Sequence, residues 1–293
     1  MSLIINEELL AELERLELLL KNNTAGMFGG LRRSKTLGSS SEFADYRDYM
    51  PGDDITKIDW NAYARHEKLF EKLYYDERQM HTRIYIDASR SMRYGDEKKR
   101  EQALRLAAAF AYLSAAGMDK VSVYAIKGGE AIEVISGIVG KENYLSEIGK
   151  LNSIEFDADS RISEAILPSR VGRADGYSII ISDFLTDSNY EDAIDFLADR
   201  RRDIFCIQVL SSEELNPQMR GKMHLFDSED TGRYYRKNID REIIKAYREA
   251  LKYATGRIEG YCAARGAYYM LVGAEDSFGD IFFGKMINIG VLK

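Results

Sequence analysis

Asp87, Ser89 and Ser91 occupy alternate positions in Asp87-Ala88-Ser89-Arg90-Ser91, where the apolar run Ile84-Tyr85-Ile86 ends. One carboxylate and two hydroxyls are hard oxygen donors, and a strand that delivers them at its carboxyl end places them where α/β sheets bind ligands. Two further segments are expected at the same edge: Asp183, directly after Ile179-Ile180-Ile181-Ser182, and Asp159-Ser160, ahead of a helical stretch starting near Ile162. Ser160 can cap that helix or turn its hydroxyl inward. The donors are all oxygen and the three histidines, His66, His81 and His224, are scattered, which suits Mg²⁺ or Mn²⁺ and argues against zinc. The competing reading is structural: Ser89 and Ser91 cap a turn and Asp183 starts a helix.

Such donors need a sheet to hold them, and the pattern from Arg83 onward supplies one. Residues 84–86, 121–126, 177–182 and 204–210 read as apolar strands, with a final strand near 267–272. Residues 97–116, 142–149, 162–167, 190–198 and about 239–264 read as helices. Strands apolar on both faces, separated by helices, predict a mostly parallel sheet covered on both sides, a three-layer α/β domain. Arg200, Arg201 and Arg202 are expected to end the helix that contains Ile194 and Leu197, where positive charge is favourable. Phe278, Ile281, Phe282 and Phe283 are expected to close the core.

Ahead of this domain, Leu9, Leu13, Leu16 and Leu20 recur at helical spacing, with Leu10, Leu18 and Leu19 widening the stripe. Lys21 to Ser41, rich in Gly, Ser, Asn and Thr, reads as a connector. Glu42 to Gln79 mixes aromatics with charge. Tyr46, Tyr49, Trp60, Tyr63, Phe70 and Tyr74 are expected to anchor a small subsidiary core. Arg47, Asp48, Asp53, Asp54, Asp59 and Arg65 are expected to pair and to dock this lobe on the sheet. The expected division is residues 1–40 as helix and linker, 41–82 as the small lobe, and 83–293 as the α/β domain.

The chain has 293 residues, 45% of them hydrophobic, enough for a sizeable core in one large or two modest domains. Its 41 Lys and Arg against 48 Asp and Glu give a net charge of -7, which disfavours a broad nucleic-acid surface. The basic runs Arg32-Arg33-Ser34-Lys35 and Arg200-Arg201-Arg202 are too local to reverse that expectation. Cys206 and Cys262 have no metal-binding spacing and read as buried thiols in a reducing compartment. No run reaches the roughly 18 uncharged apolar residues of a spanning helix, and Met1 to Glu8 has no signal-peptide pattern. The expectation is a cytoplasmic protein with no direct membrane span.

The run from Asp87 to Met92, with Asp183 after an apolar strand, resembles the metal-ion-dependent adhesion site (MIDAS) of von Willebrand factor type A domains. The block Phe43-Ala44-Asp45-Tyr46-Arg47-Asp48-Tyr49-Met50-Pro51-Gly52-Asp53-Asp54-Ile55-Thr56-Lys57-Ile58-Asp59-Trp60-Asn61-Ala62-Tyr63-Ala64-Arg65 resembles the signature of the bacterial family called domain of unknown function 58. The resemblance runs from about Ser41 to the C-terminus. It implies a von Willebrand factor type A-like, Rossmann-like three-layer domain with a central mostly parallel sheet, preceded by an N-terminal helix and a small docked lobe.

It also implies a ligand set: Asp87, Ser89 and Ser91 from the first loop, Asp183 as the later acid, and Ser160 where type A domains carry threonine. Mg²⁺ or Mn²⁺ held by mostly neutral ligands would accept a carboxylate from a partner protein as its last ligand. Arg90 and Arg93, beside the site, would steer an acidic partner or repel the cation. Family members resemble companions of MoxR-type AAA+ ATPases, which implies an adaptor, scaffold or chaperone-like role. The chain lacks the GxxxxGK[ST] pattern, so any nucleotide hydrolysis would belong to the partner. Two alternatives compete: a metal-assisted hydrolase or phosphotransferase using Asp87, and a structural module with an empty metal site. Against the first, the chain shows no GxSxG elbow and no histidine close in sequence to either loop.

Overall fold

The uniformly apolar segments around Ile84 and Ile180 become the middle of a sheet, and the periodic segments become its covers. The computed structural model describes residues 4–23, 34–76, 79–94, 97–173, 176–186, 188–219, 221–226 and 234–289, excepting the side chains of 21–23, 34–44, 74–76, 223–226 and 234–237. In chain order the first elements are α1 (Glu7–Asn23), β1 (Ser34–Asp48), α2 (Trp60–His66), β2 (Phe70–Asp76), β3 (His81–Asp87), α3 (Lys98–Ala116), β4 (Lys120–Lys127) and β5 (Glu130–Val139). Then come α4 (Lys141–Glu147), α5 (Ile162–Ile166), β6 (Tyr177–Ser182), α6 (Glu191–Asp199), β7 (Asp203–Leu210), α7 (Ser212–Leu215), β8 (Gly221–Phe226), β9 (Tyr234–Ile239), α8 (Arg241–Ala264) and β10 (Tyr268–Gly273).

The chain divides into two compact units, Gly30–Gln79 and the remainder. In the larger unit six strands lie in the order β10-β7-β6-β3-β4-β5, and all neighbours are parallel except β4 and β5. Alternation along the strands sorts the core into two halves. Ile84, Ile86, Ile179, Ile181, Phe205 and Ile207 face one side with α1, α3 and the residues after β10. Tyr85, Ile180, Ile204 and Cys206 face the other with α5, α6 and α8. Each such side chain, fully buried, contributes about 1.5–3 kcal/mol. The expected three-layer α/β class with a mostly parallel sheet is what the chain adopts.

Small residues set how closely α3 lies on the sheet: Ala103, Ala107, Ala108, Ala111 and Ala115 are completely buried. Leu9, Leu13, Leu16 and Leu20 of α1 join the same core, so the N-terminal helix is part of the larger unit, while Leu18 stays exposed. Phe278, Ile281 and Phe282 are buried and Phe283 packs against them, as expected. Cys206 and Cys262 are free buried thiols on β7 and α8, also as expected. Among the described residues no helix is long and apolar enough to cross a membrane.

Three expectations are corrected. Ser34 to Ser41, read as connector, belongs to β1, which pairs antiparallel with β2 in the smaller unit. There Trp60, Tyr46 and Tyr63 are exposed and build no core; the buried residues include Ile58, Asp59 and Glu71. Order comes from polar contacts within the unit: Asp59 caps α2 by accepting from the N–H groups of Asn61 and Ala62, and also accepts from the Tyr46 hydroxyl at 2.8 Å. The Tyr46 hydroxyl and these amides hold the Asp59 carboxyl down to about 2. Arg47 pairs with Glu71 and Asp53. Third, α6 ends at Asp199 and Arg202 does not serve as its terminal charge. Arg202 is buried at the amino edge of the sheet, donating to Ser178 Oγ and to the carbonyls of His81 and Tyr177. Arg32 and Arg33 of the other basic run lie outside the described residues.

That edge is crowded. Gly176, at φ +132°, runs so close to His81 that a Cβ would meet its backbone at 2.6 Å, so only glycine fits. His81 accepts from Arg83 at Nδ1 (3.2 Å) and meets Ser122 Oγ at Nε2 (3.0 Å). Burial, then Arg83, Lys120 and Arg202, push its pKa down to about 3. An unfolded histidine titrates near 6.5, so between about pH 6.5 and pH 3 the unfolded chain takes up a proton that the folded chain refuses. Stability should therefore be full above pH 6.5 and be lost as pH falls. Thermal melts at pH 7 and pH 5 should show a smaller drop for His81→Gln than for wild type; equal drops would assign the acid sensitivity elsewhere.

Candidate metal centre

β3 lies in the middle of the sheet and ends at Asp87, and the residues beyond it continue the ladder. Ala88 N–H donates to Ile126 O, Arg90 N–H to Ala158 O, and Gly128 N–H to Asp159 O. Short parallel bridges join Ser89 to Ala158 and Gly128 to Ser160. This ledge carries Ser160 to Asp87 across 73 positions of sequence, and its hydroxyl donates to Asp87 Oδ2 at 2.7 Å. Ser160 thus turns inward, and Arg161, which starts α5, makes no side-chain cap. The Thr186 and Ser188 hydroxyls both donate to the Ser160 carbonyl, which fixes the loop from its other side.

Asp87 is completely buried. Its Oδ1 accepts from Ser89 N–H at 3.0 Å, and its Oδ2 also accepts from Ser182 Oγ at 2.5 Å. The hydroxyls of Ser89 and Ser91 share a hydrogen bond at 3.0 Å. Burial and then Asp183 push the Asp87 carboxyl above its ordinary range, while the Ser182, Ser160 and Ser89 contacts pull the other way. Of the five expected ligand residues, Asp87, Ser89, Ser91 and Ser160 therefore form one hydrogen-bonded chain. Asp183 stands beside them with its carboxyl engaged elsewhere: Oδ1 accepts from Leu185 N–H at 3.0 Å and Oδ2 from Lys99 Nζ at 2.9 Å. Arg90 donates to the Asp157 carbonyl and Arg93 pairs with Glu97.

The donor chemistry fits a small hard cation. Two adjacent ligands around octahedral Mg²⁺ stand about 2.9 Å apart, given metal–oxygen distances of about 2.0–2.1 Å. The Ser89 and Ser91 oxygens are already at that separation. Among the described residues no group of three or more His, Cys, Asp or Glu gathers within metal-binding range, so the fit depends on hydroxyls and favours Mg²⁺ or Mn²⁺ over zinc.

Sequence reasoning missed three participants. Ser182 directly precedes Asp183 and ends a strand buried along its whole length, where a hydroxyl needs a partner. Lys99 shares the buried face of α3 with Gln102, Ala103, Leu106 and Phe110, and a lysine in register with that face was the available signal. Glu214 closes a Ser-x-x-Glu capping box with Ser211 at the start of α7.

The loop after β6 stores strain. Phe184 is buried at φ 52°, a left-handed conformation that costs a non-glycine residue roughly 1–3 kcal/mol. Ser182 Oγ accepts from Phe184 N–H and Asp183 Oδ1 from Leu185 N–H, and the two contacts pin the turn. Beside the site opens a pocket of about 400 Å³ whose lining includes Ser91 and Asp183 together with Leu185, Met219, Ile243 and Tyr247. Burial and then Glu214 push the Tyr247 phenol up to about 12, and burial followed by Glu213 raises Tyr94, so the pocket's polar side is acidic.

Residues 45–256 match the family described as protein of unknown function DUF58. Proteins from Mycobacterium bovis and Mycobacterium tuberculosis, both described as uncharacterized, are 28% identical over 232 residues, covering 77% of this chain and 73% of theirs. Among solved structures the chain is similar to an aerotolerance-related membrane protein from Bacteroides fragilis, with 14% identity, a TM-score of 0.40 and coverage of 72% of this chain and 98% of that one. It is also similar to the SpRpn10 VWA domain, with 8% identity, a TM-score of 0.38 and coverage of 68% and 90%. A third similar structure is the manganese-loaded TRAP protein of Plasmodium vivax, with 20% identity, a TM-score of 0.35 and coverage of 45% and 57%.

Proposed function

Because the chain belongs to the DUF58 family, and that membership carries no activity with it, we propose from the site itself that the protein is a metal-dependent protein-interaction module. The observation that carries this reading is the convergence of the Asp87, Ser89, Ser91 and Ser160 oxygens at the carboxyl end of β3. These residues would hold Mg²⁺ or Mn²⁺, and a bound cation supplies a positive centre for a carboxylate of a partner protein. The pocket alongside supports the reading, since apolar walls next to a polar anchor suit a desolvated protein contact. A MoxR-type AAA+ ATPase is the partner class that the family resemblance favours, with this chain as adaptor, scaffold or chaperone-like companion in the cytoplasm.

Catalysis is the second reading, and one observation favours it: Asp183 and Lys99 supply the second acid and the lysine that a phosphotransferase using Asp87 would want. Against it, Asp87 is fully buried among Ser89, Ser160 and Ser182, and in-line attack needs room for a tetrahedral phosphoryl group at its oxygens, far more than a single small cation needs. Binding is therefore preferred. The test is capture from the native host with tagged wild-type and Ser89→Ala proteins, in Mg²⁺ and in EDTA, with retained proteins identified by mass spectrometry. An AAA+ ATPase retained only by wild type in Mg²⁺ is expected. Equal retention in all arms would detach the partner from this site, and Mg²⁺-dependent phosphoester turnover lost in Asp87→Ala would replace binding with catalysis.

A further inference from the structure

The side chain of Lys99, in the first turn of α3, is completely buried and belongs to no part of the ligand set. A buried ammonium persists only when it is paired, because an uncompensated interior charge costs several kcal/mol. Its partners are Asp183 Oδ2 at 2.9 Å and Glu214 Oε1 at 2.7 Å. The two partners differ in kind. Asp183 belongs to the expected ligand set, and its other oxygen is taken by Leu185 N–H. Glu214 stands outside that set and is fixed independently: its Oε2 accepts from Ser211 N–H at 2.8 Å while Ser211 Oγ accepts from Glu214 N–H at 3.2 Å.

Counted as ionised, the three carboxylates of Asp87, Asp183 and Glu214 with one ammonium leave a formal charge of -2, which a divalent cation cancels. The ammonium already satisfies part of that demand. A cation arriving among Asp87, Ser89 and Ser91 meets a like charge on Lys99 and an Asp183 whose charge is partly spent. We propose that Lys99 sets how tightly the site holds a divalent cation, acting as an interior counter-ion that a bound cation shifts from Asp183 toward Glu214. This rests on the metal reading of the site. Lys99 is a positioning residue for Asp183 and a competitor for its charge; Glu214 is the post that keeps the displaced ammonium paired.

The test measures Mn²⁺ binding by electron paramagnetic resonance of the free ion, on the full chain, for wild type, Lys99→Met and Glu214→Gln. Methionine keeps an unbranched apolar stem without the charge, and metal-free melting temperatures report folding. Lys99→Met should bind Mn²⁺ at least about tenfold more tightly, because the like charge is gone and Asp183 is released. Glu214→Gln should bind about three- to tenfold more weakly, since the ammonium then has only Asp183. A folded Lys99→Met with wild-type or weaker affinity overturns the inference, and so does Glu214→Gln with unchanged or tighter affinity, which decides the matter if Lys99→Met does not fold. A purely structural lysine would lower the metal-free melting temperature and leave the Mn²⁺ affinity where it was. No Mn²⁺ binding by wild type and Lys99→Met alike would remove the metal reading and this inference with it, whereas binding by Lys99→Met alone would support both.

Discussion

Asp87→Ala is expected to weaken Mn²⁺ binding by at least about a hundredfold and to lower stability by about 2 kcal/mol or more, as measured by Mn²⁺ titration and urea denaturation. Both losses follow from one carboxylate serving two purposes. Under the proposed reading it is the only acid in the hydrogen-bonded donor chain, so its removal leaves neutral hydroxyls and an Asp183 already paired with Lys99 to hold a divalent ion. It is also the acceptor for Ser160 Oγ, Ser182 Oγ and Ser89 N–H, three groups that alanine would leave buried without it. The unfavourable burial of the charge, visible in the raised pKa, offsets part of that second loss. Asp87→Asn separates the two effects, since an amide of the same shape satisfies hydroxyls while carrying no charge. It should melt close to wild type and still fail to hold Mn²⁺. An asparagine variant with unaltered Mn²⁺ affinity would show that the cation, if held, is held elsewhere.

The largest purely structural effect is expected at the opposite edge of the sheet. Arg202→Met should cost about 3–5 kcal/mol, seen as a lower urea midpoint with an unchanged slope. The Arg202 guanidinium ties the carbonyl of His81 at the start of β3 to the carbonyl of Tyr177 and the hydroxyl of Ser178 at the start of β6. Burial lowers its pKa to about 10, so the residue stays charged at neutral pH while contributing through directed hydrogen bonds. Methionine fills the stem's volume and donates nothing, leaving several buried acceptors without this donor. A midpoint within about 0.5 kcal/mol of wild type would mean that water replaces the guanidinium there.

Arg202 also illustrates what the sequence could not convey. Three consecutive arginines after an amphipathic helix read naturally as a favourable C-terminus, and nothing local reveals that one of them turns back into the sheet. Strands β6 and β7 were legible because burial on both faces leaves an unbroken apolar run. Strand β5 was not, because it is an antiparallel edge strand with Glu130 and Glu133 exposed, and its polarity reads as interruption. The ribbon of β1 and β2 was hidden for a related reason: glycine, serine and charge outweigh any apolar alternation. The site was legible to the extent that it is local. Asp87, Ser89 and Ser91 share one loop, Ser160 precedes a recognisable helix start, and Asp183 follows a recognisable strand end. Lys99 meets Asp183 and Glu214 across 84 and 115 positions, a relation that only the assembled sheet creates.

The parallel bridges beyond β3 give the expected donors an unusual mounting. Residues 158–160 bridge Ser89 on one side and Gly128 on the other, wedged past the ends of β3 and β4 like a short added strand, so backbone hydrogen bonds set the spacing of Asp87, Ser89 and Ser160. On the other flank, the strained turn at Phe184 is tied down by two short side chains. The centre is therefore built like a bench vice: one jaw is cast with the frame, and the other is held against a spring. Under the proposed reading, a cation held there would be gauged by the fixed jaw, and any adjustment to its size would fall to the jaw that carries Asp183.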